Sequence, residues 1–193
     1  MRSTSSLAGC VLTCVWLGVG TTVASAAGTE QRVFAAFASD GSPIVRVVKT
    51  ETASSCSASS VNSQSTALRC FAGNVIRDPC FLDPNDGDHA VCVGAPNARS
   101  SVALRGIKAA DDGTRNTPSS RTPWAIELRG GATCSFLSGA SGTRGSRRLN
   151  YGCDDNHFLW GRPDRASSFW TILRSRSYSG RGWRRAKIAI AWR

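Results

Sequence analysis

Trp124-Ala125-Ile126-Glu127-Leu128-Arg129, then Gly130-Gly131, then Ala132-Thr133-Cys134-Ser135-Phe136-Leu137, carries the clearest structural pattern in the chain. Trp124, Ile126 and Leu128 fall on one side of an extended chain, and Ala125, Glu127 and Arg129 on the other. This is the two-residue period of a strand with one buried face. The Gly-Gly break supplies a turn and the second run a returning strand. Working outward, Ile188, Ile190 and Trp192 alternate in the same way near the end of the chain. Further strands are expected at residues 33–38, 44–51, 90–93, 102–108, 147–152, 157–160, 169–174 and 187–192. Turn-rich separators lie between them, as in Pro84-Asn85-Asp86-Gly87 and residues 138–146. No segment offers a long amphipathic helical stripe. The pattern therefore predicts an all-β fold, an antiparallel β-sandwich or β-barrel stapled by disulfides.

The 193 residues include 41% hydrophobic and 19% charged side chains. That composition excludes a disordered or collagen-like chain and is enough for one compact domain. Arg2, an apolar run over residues 7–23 and the small-residue site Ala24-Ser25-Ala26 read as a signal peptide spanning residues 1–26. A membrane-spanning helix is the competing reading, weakened by Thr13, Thr21, Thr22 and the interspersed glycines. Leu7-Ala8-Gly9-Cys10 has the letters of a lipobox. It precedes the apolar run instead of following it, which argues against a lipid anchor at Cys10. The expected location is secreted, periplasmic or cell-envelope, with no transmembrane helix in the mature chain. Residues 27–66 read as an N-terminal segment whose Ser/Thr-rich part, 50–66, is a loop or tether. Residues 67–193 read as a basic, disulfide-stapled β domain, with a second polar loop at 111–121.

Cleavage after Ala26 leaves Cys56, Cys70, Cys80, Cys92, Cys134 and Cys153. An even number in an oxidising compartment points to three bridges, for which 15 pairings are formally possible. The spacings of 14, 10, 12, 42 and 19 contain no C-x-x-C and do not form a zinc ligand set, so no metal and no cofactor is expected. A hairpin turning at residues 83–88 sets Cys80 beside Cys92, and one turning at 138–146 sets Cys134 opposite Cys153. Cys56 and Cys70 remain for each other.

Ser55-Cys56 through Arg69-Cys70-Phe71-Ala72-Gly73-Asn74-Val75-Ile76-Arg77-Asp78-Pro79-Cys80-Phe81, with Val91-Cys92, Pro123-Trp124-Ala125, Gly131-Ala132-Thr133-Cys134, Asn150-Tyr151-Gly152-Cys153 and Ile190-Ala191-Trp192, resembles a group of exported proteins and lipoproteins of actinobacteria. The likeness runs from about Cys56 to Trp192, and R-C-x-x-G-N-x-I-x-D-P-C-F is its most specific part. The resemblance implies export and a cysteine framework, and brings no catalytic residue to this chain.

Residues 27–113 carry 8 basic and 9 acidic side chains, whereas 114–193 carry 15 and 4, so the positive field belongs to the second half. Arg outnumbers Lys 21 to 3, which suits bidentate contacts to oxyanions but is equally the mark of GC-rich coding. Arg147, Arg148, Arg174, Arg176, Tyr178, Arg181, Trp183, Arg184 and Arg185 form the candidate polyanion-binding set, planar donors interleaved with stacking faces. Trp160 and Trp170 stand where strand cores need them. For an exported chain the partner is an anionic envelope or extracellular polymer, or else an unidentified protein, and not intracellular nucleic acid. Two other classes compete. One is a secreted inhibitor or interaction module presenting residues 138–146 and 175–185. The other is a hydrolase using His157 with Asp154 or Asp155. No catalytic residue is assigned, because the Asp154-Asp155-Asn156-His157 cluster also reads as a polar turn. Asp83-Pro84-Asn85-Asp86-Gly87-Asp88 resembles a calcium loop by composition but not by register.

Overall fold

The computed structural model describes residues 28–107, 122–139, 141–179 and 182–193, and among them every regular element is a strand. Six strands close a barrel: β8 (Ala125–Leu128), β9 (Thr133–Phe136), β11 (Arg147–Cys153), β12 (Phe158–Asp164), β13 (Thr171–Ser175) and β14 (Arg184–Trp192). Each pairs antiparallel with its neighbour in the order β14-β13-β12-β11-β9-β8, and β8 returns to β14. Closure is possible because β14 is long. Residues 184–187 pair with β13 on one edge, while Ile188 to Trp192 take β8 on the other. The freed part of the first edge accepts β1 (Glu30–Arg32) as a parallel strand. The short β10 (Thr143–Arg144) folds against the start of β11.

The expected alternation sets the barrel interior. Ile126, Leu128, Cys134, Tyr151, Leu159, Ile172 and Ile188 all point inward and pack as one cluster. Tyr151 donates its hydroxyl to the Pro123 carbonyl at 2.7 Å, and burial pushes its phenol well above the ordinary value.

A second sheet precedes the barrel: β2 (Val47–Thr52), β3 (Ser55–Ala58), β4 (Ala67–Ala72), β5 (Val75–Leu82), β6 (His89–Cys92) and β7 (Ser101–Arg105), in the order β2-β7-β6-β5-β4-β3. Only Ala53 and Ser54 separate its two end strands. Ala53 N–H donates to the Arg105 carbonyl, and Ser54 N–H to that of Phe71, so one bent segment serves both edges of the curled sheet. Residues 50–66 are therefore not a tether. Half of β2, all of β3, and the buried Ser59, Val61 and Asn62 lie there. The Asp78 carboxylate accepts bonds from the hydroxyls of Ser59 and Ser60, so this polar segment is tied down through its side chains.

The sequence reading also missed β4 and β5. They meet at a two-residue turn, Gly73-Asn74, where Gly73 has φ +58°, a conformation that side chains with a Cβ rarely adopt. Residues 33–38 are not a strand. β1 ends at Arg32, and Phe34 and Ala36 leave the ladder to fill the space between the two sheets.

All three bridges form as the spacing predicts: Cys56–Cys70, Cys80–Cys92 and Cys134–Cys153. Each joins directly opposed residues of neighbouring antiparallel strands. Instead of one core there are three clusters: the barrel interior, the interior of the second sheet, and an aromatic layer between them. In that layer Phe34 meets Phe81 at 5.2 Å and Trp124 at 5.5 Å. No helix of the described residues is long and apolar enough to cross a membrane.

Candidate functional site

Register puts arginines at one end of the barrel. Leu159 is opposite Arg174, and Ile172 is opposite Ala186. Arg174 lies two residues beyond Ile172 and therefore faces inward; Arg184, directly opposite Arg174, does the same. Together with Leu128 and Ala186 they line the mouth of the barrel, an open groove of about 660 Å³. Arg129, His157, Arg176, Arg185 and Lys187 complete its basic wall, and no carboxylate among the described residues lines it.

Several of these cations are already held. Arg129 and Lys187 stand over the Phe169 ring at 4.5 and 5.7 Å. Arg185 pairs with Asp164 at 2.9 Å and donates to the Thr171 hydroxyl at 3.0 Å. The Ala166 N–H, and then Arg185, hold the Asp164 carboxyl below the ordinary range. Arg174 Nη2 pairs with Asp155, whose other oxygen lies 3.1 Å from His157 Nδ1. Arg174 Nε is buried and hydrogen-bonded to nothing among the described residues. Among those residues the side chains of Arg176 and Arg184 make no ion pair and no hydrogen bond.

Of the nine predicted polyanion-binding residues, the described ones do not all line the groove. Arg174, Arg176, Arg184 and Arg185 share the groove. Arg147 lies elsewhere, over the Trp183 ring at 5.8 Å; Arg144 stands over the same ring at 5.3 Å, and Trp160 packs 6.0 Å from it. Arg148 is committed to the connection between β9 and β10: it donates to the Ser141 hydroxyl at 2.7 Å and the Gly139 carbonyl at 2.8 Å. It also lines a smaller cavity of about 400 Å³ with Asn150 and Arg162. Tyr178 is exposed yet packs edge-on against Phe158 at 5.5 Å. Arg181 lies outside the described residues. Trp160 and Trp170 are buried, as core positions require.

The sequence reading missed Arg129, Lys187 and Phe169. Arg129, one residue past β8, and Lys187 on β14 come together only when β8 returns to β14, and no local pattern announces that closure. The His157 cluster also divides. Asp154 accepts the Thr133 N–H at 3.1 Å and serves the β9–β11 corner, so only Asp155 faces His157. Among the described residues no three His, Cys, Asp or Glu side chains come together as a metal site. In the 83–88 turn the acidic side chains cap their own backbone, Asp83 taking the Asn85 N–H and Asp86 the Asp88 N–H.

Set against protein-family models, curated proteins and solved structures, the chain matches none of them.

Proposed function

We propose that this is an exported protein that holds an anionic polymer of the cell envelope or extracellular space against the mouth of its barrel. One observation carries the reading: among the described residues, six basic side chains and no carboxylate line a single groove. Among the described residues only Asp155 and Asp164 reach these cations from outside, which leaves a local excess of about four positive charges there. Such a cleft focuses its field and recruits polyanions, with an affinity that falls as salt rises. Three disulfides suit a chain that works outside the cytoplasm, and residues 1–26 supply the export signal. Two cations of the groove, Arg176 and Arg184, remain available for a ligand.

The test is retention of the oxidised protein on immobilised lipopolysaccharide, teichoic acid, heparin and DNA across a salt gradient. Retention on at least one at physiological ionic strength is expected. Arg176→Ala with Arg184→Ala should lower the slope of log affinity against log salt by about two. Retention on none of the four overturns the reading. A stoichiometric protein complex insensitive to moderate salt would put an inhibitor or interaction role in its place.

A further inference from the structure

The groove also specifies the geometry of the anion it takes. Two arginines elsewhere in the molecule show how a guanidinium edge is filled. Arg77 gives Nε and Nη2 to the two oxygens of Glu51, at 2.7 and 2.8 Å, and Arg32 gives the same pair of nitrogens to Glu30, at 2.7 Å each. In Arg174 that edge is half used, with Nη2 on Asp155 and Nε buried without an acceptor. A buried N–H in this state carries an uncompensated desolvation cost, which an incoming oxygen relieves.

The second guanidinium lies directly across the ladder. Arg184 is the cross-strand partner of Arg174, on the same face, and like charges in that position repel. Arg184 and Arg176 make no ion pair among the described residues. Asp155 compensates one charge of the three. A ligand that settles the site must therefore present several oxygens around one centre: one for Arg174 Nε, and others for Arg184 and Arg176. A carboxylate has two oxygens in one plane, which suffice for one guanidinium edge. A tetrahedral oxyanion offers three or more in different directions and can bridge two edges at once.

Resting on the polymer-binding reading above, we propose that the barrel mouth selects phosphate or sulfate ester groups over carboxylates. The subsite is formed by Arg174 and Arg184 with Arg176 at its rim. Asp155, on Arg174 Nη2, is an internal anion beside the subsite that opposes the incoming one.

The experiment compares the oxidised full chain on three polymers of matched charge per residue and length: inorganic polyphosphate, a sulfated polysaccharide and poly-glutamate. Calorimetry is run at one fixed salt concentration. Polyphosphate or the sulfated chain should bind on the order of tenfold more tightly than poly-glutamate, the worth of one charge-assisted bidentate contact. Arg174→Lys keeps the charge and loses the planar edge, and should reduce the preference to no more than about twofold. Asp155→Asn removes the internal anion without adding bulk, and should tighten binding of polyphosphate more than of poly-glutamate. Thermal melting of each variant separates a lost preference from a lost fold, and Arg184→Lys, at an exposed position, gives a second trial of the same geometry. Equal affinity for all three polymers, or a preference that survives Arg174→Lys and Arg184→Lys in folded protein, overturns the selectivity and leaves polymer binding intact. Binding to none of the three overturns the underlying reading as well.

Discussion

The two sheets solve the problem of a small core in different ways. Inside the barrel, Ile126, Leu128, Tyr151, Leu159, Ile172 and Ile188 fill the space with large side chains, and a single bridge, Cys134–Cys153, joins two of its strands. Inside the second sheet the cluster is poorer: four half-cystines, Ala53, Ala90, Leu104 and Ile107, with two bridges packed among them. A sheet that buries few large apolar groups gains little from the hydrophobic effect, and cross-links that restrict the unfolded chain compensate. Charge divides along the same boundary, with the excess of arginine on the barrel side. The lesson is a division of labour: the better-packed half carries the mutually repelling cations of the groove.

Removing bridges tests that contrast most severely. Replacing Cys56, Cys70, Cys80 and Cys92 by Ala should cost about 3 kcal/mol per bridge, a total comparable with the whole net stability of many domains. Hydrogen exchange should show β3 to β7 losing protection while barrel amides keep theirs. Replacing Cys134 and Cys153 alone should cost about 3 kcal/mol and leave the barrel folded. A barrel that unfolds more readily than the second sheet in these two experiments would end the comparison.

A smaller effect is expected within the barrel core. Tyr151→Phe keeps the ring and strands the buried Pro123 carbonyl, at about 1–2 kcal/mol in a denaturant titration. No change would mean that the hydroxyl is an ornament of packing.

The smallest effect belongs to the second sheet and to acid. Arg77, and then Lys49, hold the Glu51 carboxyl down to about 2, from an ordinary value of 4.5. Between those values the unfolded chain binds a proton that the folded chain refuses, so falling pH favours unfolding. The contribution of Glu51 is complete above about pH 4.5 and fades towards pH 2. Denaturation midpoints of the native chain and of Glu51→Gln should therefore differ most at neutral pH and converge in acid. A constant difference would show that the ion pair is not the source.

Much of this could be read directly from residues. Alternation at Ile126 and Leu128 marked one barrel wall, and the turn at 83–88 gave the Cys80–Cys92 pairing, whereas past Ile188 a register shift turns Ala191 inward in place of the expected Ile190. β4 and β5 escaped because they do not alternate cleanly and because Pro79 inside β5 reads as a strand breaker. Its missing N–H is tolerated there, while its carbonyl still accepts the Val93 N–H. The segment 50–66 looked like a tether because Ser and Thr suggest solvent. Asp78, distant in sequence, supplies the partners that let Ser59 be buried.

The basic half was likewise visible as composition, but its organisation was not. Sequence alone determined the strand-rich class, the even set of cysteines with their pairing, and the uneven charge, because each depends on residue type and local spacing. Only the tertiary structure decided that β14 closes the barrel with β8, that Arg174 and Arg184 face one another at its mouth, and that Arg147 and Arg148 stand elsewhere. Those outcomes depend on register between strands far apart in the chain, where a shift of one residue sends every side chain to the opposite face.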